Sequence, residues 1–197
     1  MINHQYKCIF IHIPRCAGTF IELAIDKRDW WNVDYKKKHL SAIRAKELYK
    51  EYWDDYFKFA FIRNPWSLEV SWYFWKKQFL KNLTFKEFIK NEDLNKTVKL
   101  SSEFDDKKLF NIFPNLTNCF DYLQINDEIE VDFVGRFENL KEHLSLISKK
   151  LNISKVNLGP VNKTDHQDFK KYYDDETREI IGKRYKKDID FFGYTFN

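Results

Sequence analysis

The sequence has few of the features that mark secreted, membrane or metal-binding proteins. Its three cysteines, Cys8, Cys16 and Cys119, are an odd number with no metal-ligand spacing, which predicts reduced thiols in a reducing compartment. No stretch is long and apolar enough to span a bilayer. No signal peptide is recognisable either, because a strand-like apolar run begins within the first ten residues. We therefore expect a cytoplasmic protein.

Net charge, chain length and composition further limit the class of protein to which this chain can belong. The net charge of +4 favours anionic ligands but is too small to indicate nucleic-acid binding by itself. A chain of 197 residues with 43% hydrophobic and 32% charged residues is typical of one folded domain. The aromatic content of 18% fits an aromatic core, or a surface on which sugars or bases stack.

The segment Lys7–Thr19, KCIFIHIPRCAGT, is the first candidate site. Cys8–Ile13 is an apolar run rich in β-branched residues that predicts a buried parallel strand, and Pro14 ends it. The periodicity of Gly18–Asp26 predicts a helix. A strand, a turn and a helix N-terminus bring several backbone N–H groups together, and Arg15 adds a charge, so an anion site is expected. The alternative is an ordinary turn without a ligand.

A second segment repeats this pattern. FKFAFIR predicts a strand ending at Arg63, Asn64-Pro65 breaks it, and a helical pattern follows. Two such strands with a helix between them predict a parallel sheet, in which ligands bind beyond the carboxyl ends of the strands. The residues expected at that edge are Arg15, Gly18, Thr19, Arg63 and Ser71.

The segment between the two strands, DKRDWWNVDYKKKH, is too irregular to predict a core element, and we expect a loop over a pocket. Trp30 and Trp31 would there stack on an acceptor, or simply cap the core. Lys36–Lys38 is expected to be solvated. His39 follows, and Ser41 is the predicted N-cap of the next helix.

Together, HIPRCAGT and FAFIRNPWSLEVS resemble the two signature loops of the sulfotransferases that use 3′-phosphoadenosine 5′-phosphosulfate (PAPS), in particular the carbohydrate branch. Similar segments extend over most of the chain, with residues 80–118 the least matched. In that family the first loop holds the 5′-phosphosulfate and the second holds the 3′-phosphate. The resemblance implies nucleotide contacts from Arg15, Cys16, Ala17, Gly18, Thr19, Phe20, Arg63, Ser71, Arg136 and Lys163.

The resemblance also implies the fold and the reaction. We expect a single α/β domain over residues 1–197, with a central, mainly parallel sheet flanked by helices and similar to P-loop kinases. The reaction would move a sulfuryl group from PAPS to a hydroxyl acceptor, most simply a saccharide, and release PAP without a metal ion. A bacterial-type cytoplasmic enzyme without a membrane span is expected.

KHLSAIRAKEL resembles the segment that carries a base histidine in this branch, so His39 is the predicted base and Arg15 the second catalytic residue. The rivals are His12, expected to be a packed core histidine, Glu22 and His166. Arg15 stands where the family has lysine. Arginine keeps the charge but cannot deliver a proton, because its pKa is too high.

Two other functions stay open. A nucleotide kinase would need Gly-Lys-Ser/Thr at the end of the first loop, where this chain has Gly-Thr-Phe. A binding module for PAP or glycans that has lost turnover is consistent with the change to Arg15. Cys16 as a nucleophile is a weaker alternative, since no partner base is evident beside it.

Near the carboxyl half, CFDYLQI and EIEVDFVGR predict two strands joined by a tight turn at Asn126-Asp127. Thr84 with Glu87 predicts a capping box, and Asp174 is the predicted N-cap of the last helix.

Overall fold

The central sheet begins in the first ten residues. The computed structural model describes residues 1–79, 82–91, 116–154 and 167–197. Strand β1 (Ile2–Asn3) pairs antiparallel with β2 (Cys8–Ile11), and every residue of β2 is buried. Burial on both faces explains why the strand is a continuous apolar run rather than an alternating one.

Two further strands extend the sheet in parallel. Strands β3 (Phe57–Ile62) and β6 (Phe133–Arg136) give the order β1-β2-β3-β6, and β2, β3 and β6 are mutually parallel. Ile62 pairs with Arg136, so β3 and β6 end at the same edge. The predicted α/β fold with a mainly parallel sheet and accompanying helices is confirmed; similarity to P-loop kinases stays a prediction.

Helices occupy much of the rest of the described residues. In chain order they are α1 (Gly18–Asp26), α2 (Trp30–Asp34), α3 (Ala42–Leu48), α4 (Lys50–Trp53), α5 (Pro65–Lys77), α6 (Phe85–Lys90), α7 (Cys119–Leu123), α8 (Leu140–Lys150), α9 (Asp175–Arg184) and α10 (Lys186–Phe192).

Three predictions about local structure are wrong. The segment expected to be a loop holds α2 and a 3₁₀ turn at Tyr35–Lys37, and Lys38, expected to be solvated, is buried. CFDYL is a helix rather than a strand, and its side chains are largely buried. The short strands β4 (Gln124–Ile125) and β5 (Glu128–Ile129) follow and pair separately from the central sheet. Tertiary packing here overrides the strand preference of the aromatic residues.

The tight turn between β4 and β5 is confirmed. Asn126 and Asp127 both have positive φ angles, 54° and 64°, the backbone that a two-residue hairpin turn requires. The capping box at Thr84 with Glu87 is as predicted. Asp174 is an N-cap as predicted and forms a capping box with Thr177, but the helix it caps ends at Arg184, and the predicted single last helix is two helices, α9 and α10. Ser41 lies at the N-cap of α3, but its side chain forms no capping hydrogen bond.

The chain divides into two compact units, each made of two segments. The first comprises Met1–Arg63 and Cys119–Lys163 and contains the central sheet. The second comprises Asn64–Asn118 and Thr164–Asn197. Within the second unit, the Asn64 side chain caps α5, and the Tyr185 hydroxyl donates to buried Glu69 at 2.6 Å. A single sulfotransferase domain over the whole chain stays a prediction.

Cys8, Cys16 and Cys119 all lie within the described residues, are buried and form no disulfide bond. Within the parts of the chain that the structure describes, no helix has the length and apolar character needed to cross a bilayer.

Candidate functional site

The loop between β2 and α1 has an unusual backbone. Arg15 and Ala17 both lie in the left-handed region, with φ angles of 64° and 63°. Such conformations are uncommon for residues with a side chain and cluster at ligand-binding loops. Ala17 is the N-cap of α1 but has no side-chain oxygen to accept from the first turn. The N–H groups that begin α1 therefore keep their capacity to bind an anion.

Gly18 is required by a close contact with a histidine ring. A Cβ atom built on Gly18 would lie 1.9 Å from Cδ2 and from Nε2 of His12. The His12 ring also stacks on Phe10, at 5.6 Å between centroids, and is buried. The loop is thus packed against the imidazole that follows β2, and only glycine leaves room for it.

Arginines lie at or just beyond the ends of the three parallel strands. Arg63, one residue after β3, donates to the backbone carbonyl of Arg15 at 3.2 Å, and its guanidinium lies 3.9 Å from the ring centre of Phe137. Arg136 is the last residue of β6. The prediction that Arg15 and Arg63 share one edge of the sheet agrees with this geometry. The three arginines make this edge strongly cationic, which suits phosphate or sulfate groups.

Burial and the nearby charge of a second arginine change the pKa of Arg15. Burial, and then the nearby charge of Arg63, lower the pKa of Arg15 to about 10. Arg15 is still protonated at neutral pH. An arginine held so close to a second cation would be stabilised by an anion between them, since opposite charge offsets both the repulsion and the desolvation.

His39 is buried in the same unit. Its Nδ1 lies 3.0 Å from the backbone carbonyl of His12. A carbonyl only accepts, so Nδ1 donates and the basic lone pair is on Nε2. Burial, followed by the neighbouring His12, holds the pKa of His39 well below its usual value. A neutral Nδ1–H imidazole is the form that a general base needs.

A buried network of polar side chains lies beside His39. The sequence did not predict that these side chains contact one another. His12 donates from Nδ1 to Oε1 of Glu22 at 2.7 Å, and Lys38 donates to Oε2 of Glu22 at 2.6 Å. Lys38 also pairs with Asp29. His12 is buried as expected, but it is part of a polar cluster rather than an isolated core residue. The sequence held one signal for this network, a polar residue inside each of two apolar patterns: His12 within the predicted strand Cys8–Ile13, and Glu22 on the buried face of α1.

The two neighbouring tryptophans have different environments. Trp30 is buried and donates from its ring Nε1 to Asp26 at 3.1 Å, so it caps the core. Trp31 is 37% exposed, and its ring centre lies 5.7 Å from that of His39. Trp30 therefore caps the core, which is one of the two expected roles, whereas Trp31 lies at the surface next to His39.

The remaining predicted residues are placed as follows. Thr19 and Phe20 are in the first turn of α1, and the Cys16 side chain is buried, which disfavours a nucleophilic role. Ser71 is a buried residue of α5 in the second unit, so its joint action with Arg63 stays a prediction. Lys163 and His166 lie outside the described residues. Among the described residues no cluster of three or more His, Cys, Asp or Glu side chains could hold a metal ion.

Comparison with known proteins identifies the family. Residues 1–195 match a family model described as "Sulfotransferase family". An uncharacterized protein of Archaeoglobus fulgidus is 35% identical over 106 residues, which are 53% of this chain and 74% of that protein. No solved structure matches at a significant level. Because the matching model spans nearly every residue, the chain belongs to the sulfotransferase family.

Proposed function

We propose that this sulfotransferase moves a sulfuryl group from PAPS to a hydroxyl group of a saccharide, with His39 as the general base. The observation that carries the proposal is the 3.0 Å contact between Nδ1 of His39 and the carbonyl oxygen of His12, from which we infer the Nδ1–H tautomer. Family membership supports sulfuryl transfer in general; the donor, the base and the acceptor are our inference.

The first unit offers groups suited to the anionic donor. Backbone N–H groups from the loop at residues 15–17 and from the start of α1, with Thr19, would hold the 5′-phosphosulfate. Arg63 would bind the 3′-phosphate, and Arg136 would add a further contact. Ser71 and Lys163 are further nucleotide contacts that the family resemblance implies. PAPS supplies the sulfuryl group, and the protein's residues bind and orient it.

Charge stabilisation is the main task of these residues. Sulfuryl transfer is chemically close to phosphoryl transfer, in which positioning and electrostatics supply most of the rate. Arg15 keeps its charge at neutral pH and would stabilise negative charge on the leaving phosphate, which needs charge more than a proton. His39 would take the proton from the attacking hydroxyl through Nε2, a step worth roughly 100-fold or more in rate.

Trp31 is the proposed platform for the acceptor. It is 37% exposed and lies edge-on to the His39 ring, so a sugar ring stacked on it would present hydroxyls near the base. Its exposure supports a saccharide over a small charged acceptor, since aromatic faces favour the apolar face of a sugar.

Nucleotide binding tests the donor. PAP should raise the melting temperature markedly more than ADP, because the arginines of the strand edge recognise the additional 3′-phosphate. Equal shifts would instead favour a nucleotide kinase.

Turnover tests the base. His39→Ala should lower sulfate transfer by roughly 100-fold while PAP affinity stays within about two-fold of wild type. An unchanged rate in this variant would remove His39 from the reaction.

A binding module that has lost turnover is the second candidate function, because this chain has Arg15 where the family has lysine. Substitution of Arg15 distinguishes this module from an active enzyme. Arg15→Lys should keep or improve transfer. If wild type binds PAP but transfers sulfate to no glycan, lipid or phenol, and Arg15→Lys gains activity, the binding module is the correct description.

A further inference from the structure

Glu22 joins three segments of the first unit around His39. Its carboxylate is completely buried. Oε1 accepts from Nδ1 of His12 at 2.7 Å, and Oε2 accepts from Nζ of Lys38 at 2.6 Å and from the backbone N–H of Trp30 at 3.2 Å. Both oxygens are therefore occupied by donors from separate parts of the chain.

The two side chains bound by Glu22 are neighbours of His39. Lys38 precedes it in the sequence, so the position of Lys38 limits where the His39 backbone can lie. His12 provides the carbonyl that accepts from Nδ1 of His39, and the two rings are 4.3 Å apart between centroids. A single carboxylate thus holds the groups on both sides of His39.

The buried charge of Lys38 makes the Glu22 carboxylate difficult to replace by a neutral group. The Lys38 side chain is 1% exposed, and its ammonium is paired with Glu22 and Asp29. Buried charges persist only when they are paired and hydrogen-bonded. Burial, together with the charge of Lys38, holds the pKa of His12 well below its usual value, so His12 is neutral. Loss of the Glu22 charge would leave the Lys38 ammonium with Asp29 alone and would take the anionic acceptor from His12.

We propose that Glu22 is a positioning residue for His39, whose carboxylate fixes the orientation and the Nδ1–H tautomer of that imidazole by holding His12 and Lys38. Glu22 takes no proton itself. The inference rests on the proposed function, in which His39 is the base.

The first test is Glu22→Gln, which keeps the size of the side chain and removes its charge. We expect kcat for sulfate transfer to fall roughly 10- to 100-fold, with KM for the acceptor and PAP affinity within about two-fold of wild type. Glu47→Gln is the matched control, because Glu47 lies on α3 in the same unit and its side chain is 59% exposed. It should behave as wild type. A parallel loss of PAP affinity in Glu22→Gln would overturn the proposal.

A double-mutant cycle distinguishes positioning from general stabilisation. In the His39→Ala background there is no imidazole to position, so Glu22→Gln should lower the residual rate less than about two-fold. An equal loss in both backgrounds would show that Glu22 acts on the fold in general.

The tautomer provides a readout that needs no turnover. ¹⁵N NMR of the imidazoles should show Nδ1–H for His39 in wild type and a mixture of tautomers in Glu22→Gln; an unchanged His39 signal would overturn the proposal. Absence of transfer by wild type would refute the proposed function, and the NMR result would still decide the role of Glu22. If Glu22→Gln does not fold, Glu22→Asp serves in the same measurements, since its shorter carboxylate cannot reach both His12 and Lys38.

Discussion

Gly18→Ala should destabilise the protein, although helix propensity alone predicts the opposite. Alanine in place of a helical glycine is usually worth about 0.5–1 kcal/mol of added stability. At Gly18 the new Cβ would lie 1.9 Å from the His12 ring. The ring cannot withdraw freely, because its Nδ1 is bonded to Glu22 at 2.7 Å.

The cost follows from these two constraints. Overpacking a tight site costs about 1–3 kcal/mol, and losing a hydrogen bond to a charged group costs about 1.5–3 kcal/mol. After the gain in helix propensity, a net loss of about 1.5–5.5 kcal/mol is expected. Urea denaturation, followed by fluorescence and circular dichroism, measures it directly.

Gly182→Ala is the matched control. Gly182 lies within α9, and among the described residues a Cβ atom added there would meet only the Trp66 ring, at an ordinary 3.8 Å. This variant should be about 0.5–1 kcal/mol more stable than wild type. In the His12→Ala background, Gly18→Ala should cost less than about 1 kcal/mol, because the clashing ring is gone. If Gly18→Ala is as stable as wild type, the close packing of Gly18 against His12 is incorrect.

Three further outcomes are expected. The pKa values of His12 and His39 are lowered in the folded protein, so the unfolded chain takes up protons first as the pH falls. The contribution of these histidines to the free energy of unfolding should then be fully present above about pH 6.5. Below that pH it should fall by up to about 1.4 kcal/mol per pH unit for each histidine. In urea titrations, His39→Ala should make this fall shallower. Arg63→Ala should weaken PAP binding by about 10- to 100-fold in calorimetry, since it removes a charged phosphate donor, whereas Arg44→Ala, at an exposed position, should have no effect. Trp31→Ala should raise KM for a saccharide acceptor and leave PAP affinity unchanged, with Trp31→Phe restoring most of the loss; equal KM values in all three proteins would exclude the platform.

Much of the site's framework could be predicted from local patterns. The apolar run after Lys7 indicates β2, and the periodicity after Ala17 predicts α1 with the bounds Gly18–Asp26 that the structure has. Parallel strands end at one edge, which was enough to predict that Arg15 and Arg63 lie together. These features depend on neighbours in the sequence or on a general rule of parallel sheets, so one sequence is sufficient.

The segment from Arg28 to His39 could not be predicted in the same way. Its charged and aromatic residues resemble a solvated loop, yet Lys38 and Trp30 are buried and Trp31 is exposed. Periodicity does not distinguish these environments, because each depends on a partner distant in the sequence. The Lys38 ammonium tolerates burial because it is paired with Asp29 and with Glu22, which lies sixteen residues earlier and is buried with it.

Local patterns in the sequence encode the first strand, the loop and helix that follow it, and the cations at the strand ends. Local periodicity, a proline that ends a strand and the geometry of parallel strands are all encoded over short distances. Tertiary contacts, in contrast, bring His12, Glu22 and Lys38 into one buried network and make CFDYL a helix. Both outcomes depend on which side chains meet across the fold, where the cost of burying a charge is offset by a partner that no local pattern identifies.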